Sequence, residues 1–124
     1  MNARTMLAAT ALGRLAIGAG LTSSPAKTFG PGWLGPDESQ RPASAMLFRS
    51  VGARDMALAL GTLGALRTGA KLRPWLLGAT LADAVDLFAT LAAGRAVPAR
   101  GRATIVALAG GAIATQLRLA RTLD

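Results

Sequence analysis

The 124-residue chain contains no cysteine, no histidine and no tyrosine. Without cysteine there is no disulfide, no thiolate nucleophile and no cysteine-held metal. The missing histidine removes the usual haem ligand, the commonest zinc ligand and the favourite general base. Serine, threonine and carboxylates are then the only conventional chemistry. The expectation is a protein that is not an enzyme, with no catalytic residues, no metal and no cofactor. Aromatic residues are scarce at 4%, and charged residues reach only 16%, against about a quarter in soluble domains.

Apolar residues make up 52% of the chain, chiefly Ala and Leu, so helices are favoured over strands. The composition is that of a membrane protein. Gly and Pro are plentiful, but membrane helices tolerate both. A net charge of +8 invites a nucleic-acid reading, yet the basic residues stand at the ends of apolar runs rather than in one patch. The expected partner is the lipid bilayer and not nucleic acid, because flanking Lys and Arg are what membrane loops carry.

Four apolar runs stand out, at about 5–22, 46–66, 74–93 and 103–120, the last lengthened by Arg118 and Arg121 if these snorkel. Each matches the roughly 20 residues needed to cross a hydrocarbon core. Arg14 breaks the first run and Ser23-Ser24-Pro25 is a poor cleavage site, so it reads as a retained helix rather than a signal peptide. The connections RTGAKLR and GRAVPARGR are tight, which makes neighbouring helices antiparallel. The fold expected is all-α, a single domain over 1–124 forming an up-and-down four-helix integral membrane bundle. A soluble bundle would need wide polar faces that these runs lack.

Residues 23–45, with four prolines and three glycines, read as one long loop with no helix through it. It is either a lid or docking loop or an interfacial plug sealing the end of the bundle. Trp33 within it, and Trp75 beside the first-turn Pro74, are expected as interfacial anchors. The loop charges are almost evenly divided between the two sides, with a lean towards cytoplasmic termini.

The charges inside the runs carry the most information. Arg14 lies at the middle of the first run, Arg54 and Asp55 near the middle of the second, and Asp83 and Asp86 astride the middle of the third. At about 1.5 Å per residue all five fall within roughly 5 Å of one depth. Left facing lipid they would cost on the order of 15 kcal/mol, more than a typical domain's stability. They are therefore expected to turn inward as an intramembrane charge network. Asp83 and Asp86, three apart, share a helix face. Arg54 and Asp55 either face different neighbours, or Asp55 orients Arg54. Gly13, Gly18, Gly61, Gly64, Gly110 and Gly111 are candidates for close helix approach, and a stripe of Thr104, Gly111, Thr115 and Arg118 for bonding across helices.

The segments GARDMALALG and LADAVDL, with the earlier GRLAIGAGL, resemble the small four-helix integral membrane proteins of actinobacteria and relatives catalogued as a domain of unknown function. They are more distantly similar to DoxX-like membrane proteins. The resemblance implies this fold and placement in a bacterial plasma membrane, with Arg54 and Asp55 matching as one pair and Asp83 and Asp86 as another; it implies no activity. The function expected is a scaffold or accessory subunit held together by the Arg/Asp network, with a membrane-protein partner or a second copy of itself. The alternative is a small proton-coupled transporter using Asp83 and Asp86, since intramembrane ionisable residues are functional candidates.

Overall fold

The computed structural model describes residues 1–123, whose regular structure is all helical, with no strand among them. Helices α1 (Ala3–Ser23), α2 (Gly30–Leu34), α3 (Pro42–Thr68), α4 (Arg73–Ala93) and α5 (Ala99–Thr122) are joined by 3-10 turns at Pro25–Lys27, Glu38–Gln40 and Gly94–Ala96. The boundaries follow local chemistry. The Asn2 side chain caps α1 by accepting from the Thr5 amide at 2.8 Å. A proline in the first turn opens both α3 and α4, where a missing N–H costs nothing. Gly69, at φ 73°, takes the left-handed conformation that ends α3 and returns its N–H to the Ala65 carbonyl.

Three expectations change. Residues 23–45 are not one loop: Pro31 near the start of α2 permits a short helix through Trp33, because a first-turn proline disturbs no intrahelical bond. Helix α3 begins at Pro42 and α5 at Ala99, four residues earlier than the apolar runs suggest, because a proline fits the first turn of a helix and Arg100 and Arg102, though charged, are good helix formers. The count of spanning candidates also differs. Ala3–Ser23, Arg73–Ala96 and Ala99–Thr122 are long and apolar enough to cross a membrane. Helix α3 is not among them, since Arg49, Arg54, Asp55 and Arg67 leave no 18-residue stretch of it with fewer than three charges.

The four long helices form two close pairs, α1 against α3 and α4 against α5, with sparser contact between the pairs. The first pair closes on glycine. A Cβ on Gly18 would lie 2.7 Å from the Gly52 carbonyl oxygen, and one on Gly52 would lie 2.6 Å from that of Gly18. Of the other glycines expected at helix contacts, Gly61 lies under the Trp75 ring, whereas Gly13, Gly64, Gly110 and Gly111 face open space. Spacing alone does not fix which face a neighbour covers.

The end that carries both termini is closed by Leu7, Ala65, Leu72, Leu76 and Leu119. At the other end α2 lies on α5, its Trp33 carbonyl so close to Gly101 that no side chain fits there. The outward faces are apolar: Leu77, Leu81, Val85 and Phe88 run along α4 exposed, Phe88 by 74%.

Candidate functional site

The five charged residues meet. Each lies within three residues of the middle of its helix, which is about 5 Å along the axis. Arg14 of α1 reaches both neighbouring pairs: its Nη1 donates to Asp55 Oδ1 at 3.1 Å, and its Nη2 donates to Asp83 Oδ2 in a short ion pair. Arg54 holds Asp86 in a two-point grip, Nη1 to Oδ1 at 2.9 Å and Nη2 to Oδ2 at 2.6 Å, the fork geometry that makes arginine pairs strong. Its Nε and Nη2 also donate to Asp55 Oδ1 at 3.2 and 3.0 Å. Both readings of the Arg54-Asp55 pair therefore hold, because the two side chains address different helices and also touch each other.

One polar extension carries the cluster to α5. Gln116 Nε2 donates to Asp83 Oδ2 at 2.7 Å, and the Thr80 hydroxyl stands 2.9 Å from Gln116 Oε1. Neither residue is charged, yet a lone amide within an apolar run is itself a signal, since a buried amide requires partners. The stripe on α5 behaves otherwise: the Thr104 and Thr115 hydroxyls donate back to the Arg100 and Gly111 carbonyls of their own helix, and Arg118 is exposed. Arg49 donates instead to the Thr22 carbonyl at 3.2 Å.

The tryptophans are more integrated than interfacial anchors need be. Trp33 donates its indole N–H to the Thr90 hydroxyl at 3.0 Å and packs 5.7 Å, centroid to centroid, from the Phe48 ring. It ties α2 to α3 and α4. Trp75 lies across Gly61 of α3.

Between the helix pairs is a cleft of about 640 Å³. Its wall is apolar except for a few hydroxyls, Gln116 and the charged residues Arg14, Asp55, Asp83 and Asp86, and both tryptophans line it. Exposed Thr10 and Gly13 of α1 and Leu108 and Gly111 of α5 also line it, so the cleft opens sideways between these two helices, which barely touch. The leucine cluster lies beyond one end and the α2 segment, with Phe29 and Trp33, at the other. Among the described residues no group of carboxylates is arranged to hold a metal ion.

No family model, curated protein or solved structure matches the chain.

Proposed function

We propose that the chain is an integral membrane four-helix bundle of the kind its GARDMALALG and LADAVDL segments resemble. The observation that carries this reading is the inside-out distribution of polarity. Charges near the helix centres face one another, while Leu81 and Phe88 are 67% and 74% exposed. A water-soluble domain rarely leaves such a stripe uncovered. Three helices meet the length and hydropathy of a span. Helix α3 is taken as the fourth because its central charges turn towards α1 and α4, and its 27 residues extend about 40 Å.

In that setting the Arg/Asp cluster acts as a clamp. Lipid supplies no hydrophobic drive between helices, so packing and polar bonds must supply the association. Both guanidinium groups are occupied by carboxylates, which favours architecture over chemistry. The function that follows is a scaffold or accessory subunit, with cytoplasmic termini, that docks to a membrane protein or to a second copy of itself. Tagged chain extracted with its surrounding native lipid should carry a defined partner in fixed ratio or run as a dimer. Recovery as a lone monomer would remove this role.

A second reading is favoured by the cleft, which opens sideways and reaches Asp83 and Asp86: a small proton-coupled transporter of cations. Asp83→Asn and Asp86→Asn separate the two. A clamp loses folded yield with either substitution, whereas a transporter keeps its yield and loses ethidium movement driven by a pH gradient in proteoliposomes.

A further inference from the structure

The geometry points to a binding site for a lipophilic monovalent cation in the lateral cleft, entered between α1 and α5. Three features carry the inference. The space is about 640 Å³, within the range that takes a drug-sized ligand. Its wall is largely apolar, with the Phe29 and Trp33 rings towards one end and Trp75 towards the other, which suits the hydrocarbon groups of an organic cation through dispersion. Its charge is unbalanced, since Arg14 and Arg54 face Asp55, Asp83 and Asp86.

The surplus negative charge has a place. Asp55 Oδ1 takes all the bonds donated to that carboxylate, and Asp83 Oδ2 all those donated to the other. The second oxygen of each accepts nothing from the described residues, although both residues are only 7% exposed and both line the cleft. A single positive charge brought in from the α1-α5 side would neutralise the cluster in surroundings of low dielectric, where attraction is strong. An anion would add a second uncompensated charge to the same space. The inference deepens the transporter reading by naming its cargo class, but binding does not require transport.

The test uses the full chain in phosphatidylcholine vesicles and two ions of matched shape and opposite charge, tetraphenylphosphonium and tetraphenylborate. The chain has two tryptophans and both line the cleft, so their fluorescence reports occupancy without a label. With each titration referred to that ion's partitioning into protein-free vesicles, tetraphenylphosphonium should bind saturably and at least roughly tenfold more tightly than tetraphenylborate. Because Asp83→Asn can fail for lack of folding, the steric variant Gly111→Leu is the control: a Cβ there meets nothing within 4 Å, so the bundle stays intact while the mouth is filled. It should weaken tetraphenylphosphonium binding by at least roughly tenfold. Preference for tetraphenylborate, equal titration by both ions, or an unchanged titration in Gly111→Leu would overturn the site. Saturable binding without ethidium movement would keep the site and remove the transporter.

Discussion

Gly52→Ala adds one methyl group at the close approach of α1 and α3. A Cβ there would stand 2.5 Å from Thr22 Oγ1, 2.6 Å from the Gly18 carbonyl oxygen and 2.8 Å from the Thr22 amide nitrogen. Two of these neighbours are backbone, so no rotamer change relieves them. Restoring the Gly18 contact to 3.4 Å requires α1 to retreat from α3 by about 0.8 Å. Arg14 is one turn from Gly18, and Asp55 one turn from Gly52, so the same retreat stretches the 3.1 Å Arg14-Asp55 bond beyond hydrogen-bonding reach. Overpacking costs about 1–3 kcal/mol, and a weakened charge-assisted bond adds about 1 kcal/mol or more. Gly52→Ala should therefore lose about 2–4 kcal/mol in an SDS unfolding titration followed by circular dichroism. Gly13→Ala, the same chemical change in open space on α1, should be neutral or stabilising by up to about 1 kcal/mol. Equal stabilities for the two variants would refute the glycine contact and its coupling to the charge cluster.

Three further outcomes follow from the same geometry. Trp33→Phe removes the donor to Thr90 but keeps the ring against Phe48, so thermal unfolding should show a loss of about 1 kcal/mol. Gln116→Glu puts a fourth carboxylate beside Asp83 where an amide now donates, and its folded yield should fall well below that of Gln116→Leu; the reverse order would show that the amide does not bond to Asp83. A single cysteine at Phe88, unambiguous in a chain without native cysteine, should be unreactive to a membrane-impermeant maleimide in vesicles and strongly broadened by lipid-dissolved oxygen when spin-labelled. Rapid maleimide labelling would place that face in water.

How much of this was legible in the sequence depends on what fixes each feature. The helices and their antiparallel order follow from apolar run lengths and short connections, both local properties. The meeting of Arg14, Arg54, Asp55, Asp83 and Asp86 was legible because depth depends only on position along each helix, whatever its rotation. Rotation was not legible: Gly18 and Gly52 make the close approach while Gly13 and Gly64 do not, and only packing decides between them. Helix α2 was hidden because proline and glycine mark a helix start as readily as a loop. Gln116 was not legible from charge, because an uncharged amide serves the same network.

The most direct test of the central claim, that opposite charges couple the helices, is a double-mutant cycle on Arg54 and Asp86 in lipid bilayers. Arg54→Met should cost about 3–5 kcal/mol, because it strands Asp86, whereas Asp86→Leu should cost less, because Arg54 keeps its bonds to Asp55. The double variant should cost far less than their sum, leaving a coupling of at least about 2 kcal/mol. Additive losses, or single variants as stable as the parent chain, would contradict it.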